Sequence, residues 1–270
     1  MSAWNAMSYE GKDTILRVVG EEANRFFKLA EQPGVWEAPT ACENWAVRDV
    51  VGHLVDTTEG YFAAFETARS GGEASAHGLA VMHERAGEAA TEFRALSQPE
   101  LIARARGDFD RMMGILESLD AEEWSGLIVP HSYMGPVPAF IYAAGQLMDY
   151  TVHSWDIRQG TGRAHGLPGD AADLLVPFMF IIWQSTVRAD TDPSPFSLGI
   201  TVSGRNAGSY RVSVADKAMS YEQGDVSDLR TVIDFDPGSM VLTAFGRSNS
   251  GTVRGDLDVA DRFLNLFFRI

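Results

Sequence analysis

Between Met7 and Gln32 apolar residues return at three- and four-residue intervals, with Ile15, Val18, Val19, Phe26 and Leu29 on one stripe. This spacing predicts an amphipathic helix that ends before Pro33-Gly34, with Ser8 standing where an N-cap would. A second helix is predicted from near Ala46 through VRDVVGHLVD to Arg69, stopped by Ser70-Gly71-Gly72. The Ala- and Glu-rich stretch from Leu79 to Leu119 reads as two segments divided at Ser97-Gln98-Pro99. SGLIVPHSYMGPVPAF, with Pro130, Gly135, Pro136 and Pro138, reads as a turn-rich connector. It feeds a helix containing QLMDYTVHSWDI that ends near Gly160. Four main helices make an antiparallel bundle, to which an added helix from Gly169 to Arg188 is assigned. That helix is apolar on several faces in VPFMFIIW and carries Pro177, a source of a kink.

The pattern changes after TDPSPF (Thr191 to Phe196), which reads as a linker. Beyond it LGITVSG, SYRVSVA and TVIDFD alternate with the two-residue period of strands, while PGSMVLTAFGR and DVADRFLNLFF have helical periodicity. The expected fold class is therefore α+β, a helical bundle over residues 1–190 followed by a small mixed α+β domain over 197–270.

Composition narrows the function. The chain has 270 residues, 45% of them hydrophobic, enough for a proper core. A net charge of -15 argues against nucleic acid and anionic membranes as partners. No apolar run approaches the roughly 20 residues of a membrane span, and MSAWNAMSYEGKD lacks the basic start and apolar core of a signal peptide, so the expected address is cytoplasmic. The single cysteine, Cys42, excludes an internal disulfide framework and a multi-thiolate metal site. It precedes a helix start, which favours a reactive thiol, but a buried, inert cysteine is the expectation.

Three residues stand out as chemistry. Asp149 and His153 lie four apart on one helix and so share a face, and His53 sits inside the apolar run of another. If the two helices pack together, these make a two-histidine, one-carboxylate set with an open position, the pattern of a catalytic divalent metal. By spacing alone the alternative stays open, a core histidine and a helix-surface contact. Arg48, Arg158 and Arg247 are the candidate cations for an anionic substrate, each equally readable as a solvated surface arginine. His77, His83 and His165 fall in polar surroundings and are expected to be exposed, whereas His131, in the connector, is placed to approach the cleft.

PTACENWAVRDVVGHLVD (Pro39 to Asp56) resembles the Pro-x-x-Cys-x-x-Trp-x-Val-x-Asp-x-x-x-His signature of the mycothiol-dependent maleylpyruvate isomerase family, within the DinB-like helical-bundle superfamily. DYTVHSWDIRQGTGRAHGLP (Asp149 to Pro168) is similar to that family's acidic-x-x-x-His-x-Trp-Asp helix and Thr-Gly-Arg turn. The C-terminal stretch GSMVLTAFGRSNSGTVRGDLDVADRFLNLF resembles the sterol carrier protein-like domain that accompanies many members. The resemblance implies that His53, Asp149 and His153 hold a divalent metal, usually zinc, with Asp149 standing where the family has Glu. It implies mycothiol as a thiol cosubstrate and a small electrophilic substrate, which thiolate addition, rotation and elimination would isomerise; an S-transferase shares the first step. Arg247, in the Ala-Phe-Gly-Arg turn, is expected to orient an anionic group of thiol or substrate, the alternative being a surface pair with Asp256 or Asp258. Two readings from other classes remain, a carrier of an apolar ligand and a regulatory protein with a vestigial metal site.

Overall fold

A computed structural model describes residues 3–163, 165–188, 190 and 194–270, the side chains of residues 83 and 84 aside. The fold is α+β, a helical region followed by a mixed five-stranded sheet. It divides into two compact units, Met1–Leu167 and Pro168–Ile270.

The first unit is built on α1 (Lys12–Ala30), α2 (Val47–Arg69), α4 (Gln98–Ser118) and α6 (Phe140–Gly160), with α3 (Met82–Glu92) and the short α5 (Ala121–Gly126) between them. The stripe read from the sequence is the one that packs: Ile15, Val18, Val19, Phe26 and Leu29 are all buried. Ser8 makes no side-chain cap; its turn is a short 3-10 segment, and α1 starts after Gly11. Phe26 and Phe27 meet Tyr150 of α6 edge-on or tilted, with ring centroids 5.6 and 5.7 Å apart. Offset contacts of this kind add directional attraction to the burial of three large rings. The connector before α6 is not mere turn. It pairs as an antiparallel hairpin of β1 (Ile128–His131) and β2 (Gly135–Pro138), with Pro130 opposite Pro136.

In the second unit α7 (Gly169–Ser185) lies with β3 (Phe196–Val202), β4 (Gly208–Ala215), β5 (Ala218–Gln223), β6 (Val232–Phe235), α8 (Pro237–Ala244), β7 (Thr252–Arg254) and α9 (Leu257–Leu264). The sheet order is β5-β4-β3-β6-β7, antiparallel except where β3 meets β6. The composition change placed α7 with the bundle, whereas its contacts group it with the sheet. The reason is its all-round apolarity: Phe180 stacks on Tyr221 at 4.4 Å and Trp183 meets Phe263 at 5.2 Å, so it covers the sheet and α9. Pro177 is accommodated inside it. Proline supplies no N–H to the carbonyl four residues back, and that carbonyl, on Asp173, accepts instead from Asn206 Nδ2 at 2.7 Å. The linker expected at Thr191 to Phe196 begins on residues outside the described ones. No helix among the described residues is long and apolar enough to cross a membrane.

The start of α2 is fixed by Asp49. Its carboxylate accepts from the Ala46 N–H at 2.9 Å and takes a two-pronged contact from Arg94, Nε to Oδ1 at 2.7 Å and Nη2 to Oδ2 at 3.0 Å. Arg94 lies in the turn between α3 and α4, so the pair ties three helices together. Burial alone would raise the Asp49 pKa, but the Arg94 and Ala46 hydrogen bonds and the arginine charges outweigh it and hold the group below the usual carboxylate range.

Replacing Arg94 with Met should therefore lower stability measurably at neutral pH, because it leaves the buried Asp49 carboxylate without its charged partner. Because the folded-state pKa of Asp49 is depressed, this contribution is complete above about pH 5 and fades as the pH falls through the ordinary carboxylate value and then the native one. Urea titrations of parent and variant should converge on acidification. Equal stability at neutral pH, or a gap that widens in acid, would show that the pair does not hold α2.

Candidate metal centre

His53 falls one turn after Asp49 on α2, so the cap that fixes the helix start also fixes the histidine. Asp149 and His153 lie one turn apart on α6, which carries buried groups on most of its surface, Gln146, Thr151, Ser154 and Asp156 among them. Each of His53, Asp149 and His153 offers a donor atom within 4.8 Å of the other two. The His53 Nε2 to Asp149 Oδ1 distance is 3.9 Å, and the two imidazole rings stand nearly perpendicular with centroids 5.1 Å apart. Trp45 covers both rings, at 5.1 and 6.1 Å.

These residues fit a divalent ion. Donors bonded to zinc at about 2.0–2.2 Å in a tetrahedron sit roughly 3.4 Å from each other, so a half-ångström adjustment closes the His53–Asp149 gap. Asp149 Oδ2 is buried with no hydrogen-bond partner, an expensive state for a carboxylate oxygen unless a cation meets it. The shorter aspartate thus reaches the histidines without help from a longer side chain. The His53 and Asp149 side chains remain 15% and 18% exposed, which leaves the cluster an approach from solvent.

A second triad overlaps the first. Cys42, His153 and Asp156 also bring donor atoms within 4.8 Å of one another. Here the groups already satisfy each other: His153 Nδ1 lies 2.9 Å and Cys42 Sγ 3.2 Å from Asp156 Oδ2. A carboxylate beside Nδ1 holds the proton there, so the lone pair is on Nε2, free for the first triad. Asp156 is thus a carboxylate that orients His153, as carboxylates commonly do for histidines that ligate metals. Its i,i+3 spacing from His153 and its place at the end of the His-x-Trp-Asp motif were the signals that could have found it. The loop bearing Cys42 and Trp45 is clamped to the end of α6 by the Ala41 N–H to Asp156 carbonyl bond, 2.9 Å, and by Gly160, where a Cβ would meet the Pro39 carbonyl oxygen at 2.2 Å.

Beside Asp149 lies an aromatic cluster. Tyr61 of α2 meets Tyr142 at 4.7 Å and His131 at 6.0 Å, and His131 meets Tyr142 at 5.7 Å. Burial raises the Tyr61 pKa well above its ordinary value, with the Asp149 charge adding to it, and burial lowers that of His131 against the pull of Asp149. His131 therefore does approach the centre.

His77 is exposed, but His165 is half-buried with its ring 5.2 Å from Trp155, and the His83 side chain lies outside the described residues. Arg48 pairs with Glu37 at 2.9 Å. Arg247 belongs to the second unit, where Nη1 donates to the carbonyl oxygens of Phe245 and Ile270 at 3.0 and 2.7 Å. A hollow of about 600 Å³ between α1 and α4, lined by Lys12, Arg17, Phe109 and Glu117 among others, shares no residue with the centre.

The fold is similar to two solved structures, a mycothiol-dependent maleylpyruvate isomerase and a histidine-to-alanine mutant of it. Each has a TM-score of 0.58 and 15% identity over 90% of this chain and 92% of the other. No curated protein matches the chain by sequence. The family model for the mycothiol maleylpyruvate isomerase N-terminal domain matches residues 17–158, more than half of the chain, from within α1 to within α6, a stretch that holds both triads. The chain belongs to the mycothiol maleylpyruvate isomerase N-terminal domain family.

Proposed function

We propose that the protein is a metal- and thiol-dependent enzyme that isomerises, or joins to a thiol, a small electrophilic substrate. His53, Asp149 and His153 would hold the metal, with zinc as the ion and mycothiol as the thiol. The observation that carries this reading is an Asp149 carboxylate with one oxygen buried and partnerless and the other 3.9 Å from His53 Nε2, clustered with a His153 already oriented through its Nδ1. A zinc ion bound there would hold a thiol in its nucleophilic thiolate form near neutral pH. The chain's own groups divide the remaining work. Asp156 keeps the His153 Nε2 lone pair directed at the centre, Trp45 covers both imidazoles, and the exposed edges of His53 and Asp149 admit thiol and substrate. The similarity to a mycothiol-dependent maleylpyruvate isomerase supports an alkene conjugated to a carbonyl as the electrophile.

The purified protein should bind about one zinc, and His53→Ala and His153→Ala should each abolish stoichiometric binding. Asp149→Glu should retain the metal, whereas Asp149→Asn, which removes the anionic ligand, should weaken it in chelator competition. Unchanged metal content in both histidine variants would remove the centre. Isomerisation or S-conjugation of activated alkenes should require both metal and added thiol; a metal-loaded protein inert with every thiol and alkene would instead favour a binding or regulatory role.

Asp156→Asn should lower zinc affinity roughly 10- to 100-fold, the scale for losing an orienting partner of a ligand. If Cys42, His153 and Asp156 were the ligand set instead, Cys42→Ser would lower affinity at least as far while His53→Ala left it unchanged. Chelator titration of the three variants separates the triads.

A further inference from the structure

We propose that His131 and Tyr61 form a neutral hydrogen-bonding pocket beside the metal centre that receives the carbonyl oxygen of a substrate whose ketone is conjugated to the reacting double bond, an assignment that rests on the thiol-addition reading above. His131 ends β1, and the turn that follows points the main-chain N–H groups of Tyr133 and Met134 at its Nδ1, each 3.2 Å away. Two donors at one nitrogen exclude a proton from it. The ring proton therefore sits on Nε2, and the imidazole acts as a donor at its other end. A second ring proton would face those two N–H groups, and burial also disfavours the charged form. His131 is a neutral donor.

Tyr61 supplies the second one. It follows His53 by two turns on α2, and its hydroxyl lies against Gly145, one turn before Asp149 on α6, where a Cβ would come within 2.7 Å of it. Glycine at this position lets the phenol reach the helix. Burial and the Asp149 charge keep the phenol protonated. Tyr142 backs both rings, and its own hydroxyl is buried with no partner.

Uncharged donors in an aromatic pocket next to an aspartate suit an oxygen that is neutral on arrival and gains charge during reaction. In thiol addition the sulfur lone pair forms a C–S bond at the alkene carbon remote from the ketone. The π pair moves toward the carbonyl, whose oxygen becomes an enolate oxygen. Rotation about the resulting single bond and return of the pair restore the alkene in its trans form and expel the thiolate. No proton or electron is gained or lost overall. The enolate oxygen is the only new charge on the substrate skeleton, and His131 Nε2–H and Tyr61 O–H are the donors assigned to it.

The first test needs neither metal nor thiol. In metal-free protein carrying ¹⁵N-labelled histidine, His131 should appear as the Nε2–H tautomer near neutral pH. Its Nε2–H resonance should move with 4-oxopentanoate and stay still with pentanoate, which lacks the ketone, and Tyr61→Phe should weaken the response. A proton on Nδ1, or a resonance that responds equally to both acids, overturns the pocket. The second test uses the zinc-loaded enzyme, a thiol and a cis alkene conjugated to a ketone. His131→Phe should lower kcat by roughly 10²- to 10³-fold with little change in KM and unchanged zinc content, and His131→Gln, which keeps an N–H at that end, should recover part of the loss. Parental kcat in His131→Phe also overturns the assignment. Absence of thiol-dependent turnover in the parent, with the keto acid still moving the His131 signal, would sink the enzymatic reading and leave the carbonyl pocket standing.

Discussion

Asp156 sits with no exposure inside the first unit, and a carboxylate is tolerated in such a place only where donors converge on it. They come from two directions: His153 from its own helix and Cys42 from the loop before α2. This one contact fixes the imidazole tautomer, anchors the loop that carries Trp45, and ties the C-terminal half of α6 to the entry of α2. The candidate centre then follows with few further choices. With Nδ1 engaged, Nε2 is the nitrogen that remains for the neighbours, and those are His53 and Asp149. Asp49 and Arg94 do the matching work on the other helix, fixing where α2 begins and hence where His53 stands.

The share of this that the sequence reveals follows a physical rule. Periodicity reports which residues of one helix lie on one face, so the Asp149–His153 pair and the buried stripe of α1 are legible from spacing. It does not report what faces them. His53 joined the pair through resemblance to a known motif, because no pattern within VRDVVGHLVD states which helix it packs against. The same motif contains Asp49 and Cys42, whose structural purposes, a helix cap and a contact to Asp156, are invisible without the partner segment.

Prolines concealed the hairpin that brings His131 into place. Pro130, Pro136 and Pro138 cannot donate to a strand ladder, and their density reads as turn. A two-stranded ribbon tolerates them because each strand has one unpaired side, and here two of them stand opposite each other. In the second unit β3, β4 and β6 announce themselves by alternation, but β5 and β7 do not: AMSYEQ has only Met219 buried and Tyr221 half-buried among exposed residues, and TVR is too short to carry a period. An all-apolar helix shows that it is covered, and only the contacts of Phe180 and Trp183 show by what.

The position of Cys42 bears on the chemistry as a whole. It is the chain's single cysteine, and its sulfur lies against Asp156 on the Nδ1 side of His153, whereas His53 from α2 and Asp149 one turn back on α6 converge with the ring. A thiol held against Asp156 supports the shape of the centre. If the reaction is a thiolate addition, its sulfur has to arrive from outside the chain. The residual exposure of His53 and Asp149 then has a purpose, since a protein that supplied its own nucleophile would have no need to leave that side of the cluster open. In that reading, dependence on a small thiol would follow from where the one internal sulfur is already engaged, and the buried carboxylate that engages it is also the group that orients His153.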